Sequence, residues 1–249
     1  TMGDAVWSMY DYNRGCCDNI CYSGVADIFR LSKFSLSFFR TQIAEGSMLP
    51  SGKMPYEVFI PAYRDEILSD TVMVYGNVDE VELVLNGKTI RRQTADKGPD
   101  SDYIPVPNGG NGKNLHFPPF TFYGVPKERG VLKAVGYHQG KKVAEYTVKT
   151  PGVPERLDIT YFESGKPATK NDLLIVYVRM LDKQGVLCPV NGIPVELSVQ
   201  GGEIVGPTSY PLEAGVASFL VRTGEISKIN INATGKGFST RKSLKVGKE

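Results

Sequence analysis

The sequence predicts a mainly β protein: two immunoglobulin-like β-sandwiches in tandem, preceded by a strand-loop-helix remnant with the layout of a (β/α)8 barrel unit. Three observations carry this. Short runs rich in Val and Ile alternate with turn signals drawn from 27 Gly and 16 Pro, as in antiparallel strands. Two-residue turns, Asn86-Gly87 and Gln139-Gly140, sit between alternating apolar stretches, the strongest short-range hairpin signal being Asn-Gly. One aromatic-rich stretch near the start breaks the pattern with apolar residues at helical spacing.

Residues 1–50 open on "AVWSMYDYNRG" from position 5. Residues 4–12 read as a strand and 13–24 as a loop rich in Gly, Asn, Asp and Ser. Residues 25–43 read as a helix, because Val25, Ile28, Phe29, Leu36, Phe39 and Ile43 recur at helical spacing and Gly46 follows as a stop. A lone strand, loop and helix cannot enclose a core, so this is one βα unit of something larger. Part of its aromatic face, from Phe29, Phe34, Phe38 and Phe39, is then expected to be exposed or covered by a partner. Trp7, the only tryptophan, lies at the strand end where barrel βα loops build active sites. Its indole either walls a sugar site, offering apolar area to a pyranose, or fills the barrel core, and spacing leaves both open.

Residues 51–150 form the first sandwich. In "TVMVYGNVDEVELVLNGKTIRRQ", Val81, Leu83 and Leu85 fall on one face and Glu80, Glu82 and Val84 on the other. "GVLKAVGYHQGKKVAEYTVKT" repeats the strand-turn-strand arrangement, and the Gly- and Pro-rich stretch between the two predicts irregular structure over roughly twenty residues. After "TPGVPE", residues 151–249 give strands at the spacing of a second sandwich, with Leu197-Ser198-Val199 and Ile229-Asn230-Ile231-Asn232 alternating as half-buried strands do.

The net charge of +2 is near neutral and Lys and Arg are dispersed, which does not support a nucleic-acid or anionic-membrane role. No apolar run reaches the length of a membrane span. Cysteines at 16, 17, 21 and 188 lack the paired C-x-x-C spacing of a structural zinc site, so free thiols or one local disulfide are expected and no metal or cofactor. Nucleophile-elbow, phosphate-loop and zinc-helix motifs are missing, and His116 and His138 stand apart in sequence. His138 reads as a surface turn residue and His116 as packing beside its prolines. Asp79, Glu80 and Glu82 read as a solvated face. A competing view makes the chain a stand-alone carbohydrate-binding or spacer module, with Tyr103, Phe117, Phe120 and Phe122 as an aromatic platform.

"AVWSMYDYNRG" followed by "SGVADIFRLSKFSLSFFRTQ" resembles the last βα unit of the catalytic barrel of glycoside hydrolase family 2, whose pattern is Val-Trp-x-x-x-Asp-Tyr and then Gly-x-x-Asp-x-x-Arg-x-Pro-Lys. Trp7, Asp11, Tyr12, Gly24, Asp27, Arg30 and Lys33 match, and Ser32 replaces the usual proline. "VYGNVDEVELVLNGKTI" and the stretch from His116 to Thr150 resemble the immunoglobulin-like domain behind the barrel in the β-galactosidase branch. The resemblance implies retaining hydrolysis by two glutamates about 5–5.5 Å apart, on earlier barrel strands. It therefore implies a non-catalytic chain whose partners are an N-terminal barrel portion and a β-linked saccharide. It also implies that Trp7 lines the terminal-sugar subsite and that Asp11, Asn13 and Arg14 border it. A β-glucuronidase or β-mannosidase parent is the alternative within the family, and the implied compartment is the periplasm or exterior of a bacterium.

Overall fold

A computed structural model of the chain describes residues 8–13, 15, 19–62, 69–96, 115–162 and 166–247. It divides into two compact units, Thr1–Thr150 and Pro151–Glu249.

The first unit begins with two short antiparallel strands, β1 (Tyr12–Asn13) and β2 (Ile20–Cys21), then helix α1 (Phe34–Thr41) and a small pair, β3 (Met48–Leu49) and β4 (Gly52–Lys53). The expected helix over 25–43 is thus much shorter. Residues 24–33 are instead a closed loop: the Val25 and Ala26 N–H groups donate to the Ser8 and Met9 carbonyls (3.1 Å each), and Lys33 N–H donates to Val25 O (3.0 Å). Arg30 takes a left-handed φ of 66°, which no α-helix accommodates. The apolar spacing of Val25, Ile28 and Phe29 was therefore produced by a folded loop. Of the strand expected over 4–12, residues 4–7 lie outside the described residues, Tyr10 bridges to Ala26 in parallel, and Tyr12 starts β1.

The sandwich of this unit contains β5 (Val58–Phe59), β6 (Val72–Gly76), β7 (Glu80–Leu85), β8 (Lys88–Thr94), β9 (Phe120–Phe122), β10 (Val131–His138) and β11 (Lys141–Lys149). One sheet runs β11-β10-β7-β8 and the other β5-β6-β9, all pairs antiparallel. Alternation sets the faces: Val81 and Leu83 are fully buried and Leu85 is 3% exposed. They pack with Val74, Phe120, Phe122, Leu132 and Ala134. Both turns fold as their residues require. Asn86 and Gly87 take φ of 50° and 80°, Gln139 and Gly140 take 49° and 76°, the left-handed pair whose twist matches a hairpin.

The second unit contains β12 (Arg156–Tyr161), β13 (Leu173–Leu181), β14 (Pro194–Gln200), β15 (Gly202–Ile204), β16 (Ser209–Pro211), β17 (Val216–Thr223), β18 (Lys228–Gly235) and β19 (Phe238–Lys245). Its sheets run β12-β13-β17-β15 and β16-β14-β18-β19. Val176, Val178, Met180, Phe219 and Val221 face Val195, Leu197, Ile229, Ile231 and Ala233 across one core. In β18 the predicted alternation holds, with Ile229 and Ile231 buried and Asn230 and Asn232 half-buried.

One buried carboxylate organises an edge of this unit. Asp182, 2% exposed, accepts Gly152 N–H at 2.7 Å on one oxygen and Val186 N–H at 2.8 Å on the other. Burial alone pushes its pKa up, but the N–H groups of Gly152, Val186, Gln184 and Gly185 outweigh it and hold the carboxyl below the ordinary carboxylate value. A depressed pKa adds stability above the unfolded value, about 4, and that stability is lost as the pH falls through the folded value. Asp182→Asn is therefore expected to destabilise the unit by about 2–3 kcal/mol at pH 7. Urea unfolding followed by far-ultraviolet circular dichroism should show the gap between wild type and variant closing below about pH 4. A gap that stays constant to pH 3 would contradict this role.

Candidate functional site

Of the residues singled out from the sequence, Asp11 and Asn13 fall within the described part of the loop between Ser8 and Lys33. Asp11 carries the geometry. Its backbone N–H donates to Ala26 O (3.0 Å), and its side chain, only 3% exposed, turns inward. There a single oxygen, Oδ1, accepts both the Gly24 N–H at 2.9 Å and the Lys33 ammonium at 2.6 Å. Lys33 also donates to Tyr22 O at 3.1 Å, so three stretches of the loop are tied at one charge. A carboxylate buried this deeply requires a cation and a backbone donor, and both are supplied.

Gly24 is obligatory for this arrangement. A Cβ there would stand 2.3 Å from Asp11 N and from Tyr10 C, and 2.5 Å from Ala26 O, all backbone atoms. Asp27 closes the next turn: its Oδ1 accepts Leu31 N–H at 2.7 Å, and its carbonyl accepts Arg30 N–H at 3.0 Å. Burial raises the Asp27 pKa, against the opposing pull of the Leu31 and Phe29 N–H groups. Asn13 is exposed and accepts Gly15 N–H at 2.8 Å, a local turn bond. Trp7 and Arg14 lie outside the described residues. The structure thus brings Asp11, Gly24 and Lys33 together and leaves Asn13 on the rim. Sequence reading matched Gly24 and Lys33 only as motif letters and missed their joint role. The signal was an aspartate inside an apolar strand, which has to find a partner.

The loop passes into α1, which is fastened to the sandwich. Arg40 pairs with Glu57, with Nε at 3.1 Å from Oε2. Asn77, 3% exposed, donates through Nδ2 to Ile43 O and Pro55 O (3.0 Å each) and accepts Glu57 N–H at 2.6 Å. Gln42 pairs with both backbone groups of Phe117, at 3.0 and 3.1 Å. Phe34 packs edge-on against Phe59 and Phe38 against Tyr75. Phe29, in the loop, and Phe34 and Phe38, on α1, are half-buried, and Phe39 is exposed.

Other candidates resolve into structure. Phe120 and Phe122 have no exposed surface and belong to the core, so neither serves the aromatic platform of the binding-module view; Phe117 is half-buried and Tyr103 lies outside the described residues. His138 bonds Asp79 through Nδ1 at 3.1 Å and stacks on Tyr56, and His116 is exposed against Phe117. Cys16 and Cys17 lie outside the described residues, Cys21 Sγ sits 3.5 Å from Ser23 Oγ, and Cys188 is buried. Among the described residues no three His, Cys, Asp or Glu side chains are grouped to hold a metal ion, and no helix is long and apolar enough to cross a membrane.

Solved structures share the fold. A β-glycosidase from Bacteroides vulgatus superposes on 96% of this chain with a TM-score of 0.74 at 16% identity, using 30% of its own length. A β-glucuronidase from glycoside hydrolase family 2 covers 92% with a TM-score of 0.72 at 21% identity, using 23% of its length. These likenesses establish the fold, that of the β-sandwich region of such glycosidases. Sequence relatives are more specific. A β-galactosidase of Thermoanaerobacter pseudethanolicus is 32% identical over 237 residues, 89% of this chain and 30% of that protein. A β-galactosidase sequence of Rhizobium radiobacter is 30% identical over 129 residues, 51% of this chain and 92% of that sequence. Residues 69–144 match the family described as "Domain of unknown function (DUF4982)". The chain belongs to the β-galactosidase-like members of glycoside hydrolase family 2. It spans 30% of the length of the Thermoanaerobacter relative.

Proposed function

We propose that this chain is the non-catalytic C-terminal portion of a retaining hydrolase of β-galactosides. In this reading residues 1–50 supply the last βα unit of a catalytic barrel, and residues 51–150 and 151–249 are the two immunoglobulin-like sandwiches behind it. The supporting observation is that Asp11, Gly24 and Lys33, three spaced positions of one motif, meet in a single hydrogen-bonded cluster. The motif is therefore a folded device that fixes this loop, and barrel active sites are assembled from loops that follow strands.

Within that device the roles divide. Trp7, Asn13 and Arg14 are assigned to sugar contacts, the indole against the apolar face of the terminal sugar and the two polar residues bordering that subsite. Asp11 has its Oδ1 committed inward and acts as a positioning residue. The reaction itself requires two carboxyl groups about 5–5.5 Å apart, one as nucleophile and one as acid and base, and this reading places both on earlier barrel strands. The galactoside preference is carried over from the names of the relatives.

The experiment is an assay of the purified chain on an aryl β-galactoside, with the aryl β-glucuronide alongside. No turnover above the uncatalysed rate is expected, because removing one member of a catalytic carboxylate pair already abolishes most of the rate. Turnover that survives repurification and follows the protein peak would overturn the non-catalytic assignment.

A further inference from the structure

The outer face of the sheet β11-β10-β7-β8 carries a hollow that the reading above does not use. Strands β7 and β10 are each hydrogen-bonded on both edges, β7 to β10 and β8, β10 to β7 and β11. Their backbone therefore offers nothing to a ligand, and side chains alone define the surface. Opposite the core-facing Val81, Leu83 and Leu85, a solvated face should be polar. Instead Val84, Val131 and Val135 lie together there, Val135 only 6% exposed although it is not in the cluster that fills the sandwich interior, Val131 37% exposed. They floor a hollow of about 410 Å³ whose walls are Tyr137, Lys133 and Lys142, a volume in the range of small-molecule sites.

The walls are built. The Tyr137 hydroxyl donates to Glu82 Oε2 at 2.7 Å, and Glu82 Oε1 accepts the Thr89 hydroxyl at 2.6 Å. The Arg92 guanidinium lies 3.7 Å above the Tyr137 ring and donates to Glu80 at 2.6 Å. Opposite, the Lys142 and Lys133 ammonium groups stand 2.6 and 3.7 Å from the same Glu145 oxygen. Two cations share one carboxylate, which leaves an excess positive charge at this lip, while Glu82, bonded only by the Tyr137 and Thr89 hydroxyls, carries the negative charge of the opposite wall.

We infer that this hollow binds a sugar residue bearing a carboxylate, with its C–H face on the valines and its carboxylate at Lys133 and Lys142. A pyranuronate combines the features the hollow asks for: an apolar ring face, hydroxyls for Tyr137, Glu82 and Glu145, and one negative charge. A peptide strand is a poorer fit, because it recognises a sheet through a free backbone edge. The side chains are held in place before binding, so little ordering opposes it. The site shares no residue with the barrel motif and stands whether or not the chain serves a galactosidase.

The test is titration of the whole chain with digalacturonic acid, followed by amide chemical shifts, with neutral digalactose and an acidic dipeptide as comparisons. Saturable shifts confined to Val84, Val131–Tyr137 and Lys142 are expected, weakened about tenfold in the Lys133→Met, Lys142→Met double variant. Digalactose should bind about tenfold more weakly, since it lacks the charge-assisted bond. Retention of the remaining spectrum shows that the variant is folded. No saturable shift, shifts centred elsewhere, equal binding of the neutral sugar, or tighter binding of the dipeptide would each overturn the assignment.

Discussion

Alanine in place of Gly24 will open the loop from Ser8 to Lys33 while both sandwiches stay folded. The added Cβ meets backbone atoms of Asp11 and Tyr10 at 2.3 Å, and neither can yield without breaking the bonds of Asp11 and Val25 to their neighbours. We expect a local destabilisation of at least about 3 kcal/mol, the upper range for forcing extra volume into a packed site. Amide hydrogen exchange measures it: the N–H groups of Asp11, Val25 and Ala26 should lose protection, while those of β7 and β10 keep theirs. Asp11→Asn, which keeps the shape and removes the charge that Lys33 needs, should show the same pattern at about 1.5–3 kcal/mol. Unchanged protection in the Gly24 variant would show that the loop is not held as described.

The second large effect is expected at Asn77. Its side chain closes three bonds, to Ile43, Pro55 and Glu57, at a position 3% exposed to solvent. Alanine removes all three and leaves buried carbonyls and an N–H without partners, a loss of about 3–4 kcal/mol. For a unit of this size that corresponds to a fall in melting temperature of roughly 10 °C. Asn77→Asp keeps the acceptor for Glu57 N–H but sets a carboxylate against two carbonyls, so it should be no better than alanine. Calorimetry gives both values. A shift below 2–3 °C, on the order of 1 kcal/mol, would mean that α1 and the segment to Glu57 are held by Arg40, Gln42 and the phenylalanines instead.

These two residues also mark where sequence reading reached and where it stopped. Period-two alternation and the Asn86-Gly87 and Gln139-Gly140 turns are local properties, so the sandwich strands and their buried faces were legible. The helix was not. Val25, Ile28 and Phe29 fall at helical spacing, but the conformation there is decided by Asp27 and by a left-handed Arg30, bonds that periodicity does not register. The latch of Asp11, Gly24 and Lys33 joins positions up to 22 residues apart. Asn77 reaches back 34 residues to Ile43. Such contacts exist only once the chain has folded, and a polar residue set beside an apolar run is the trace they leave in the sequence. The aromatic stretch shows the same limit. Phe120 follows Pro118-Pro119, which left a surface platform and packing onto the sheet both open, and in the fold Phe120 and Phe122 belong to β9 and face the core.

The roles given to the loop rest on its belonging to a barrel whose catalytic carboxylates lie elsewhere. The most direct measurement is the coding sequence of the gene that contains this segment. The account predicts, in frame ahead of Thr1, seven further βα units with one glutamate after the fourth strand and another on the seventh, positioned for a pair about 5–5.5 Å apart. A reading frame that places any other kind of domain there, or a barrel without those two glutamates, would contradict it.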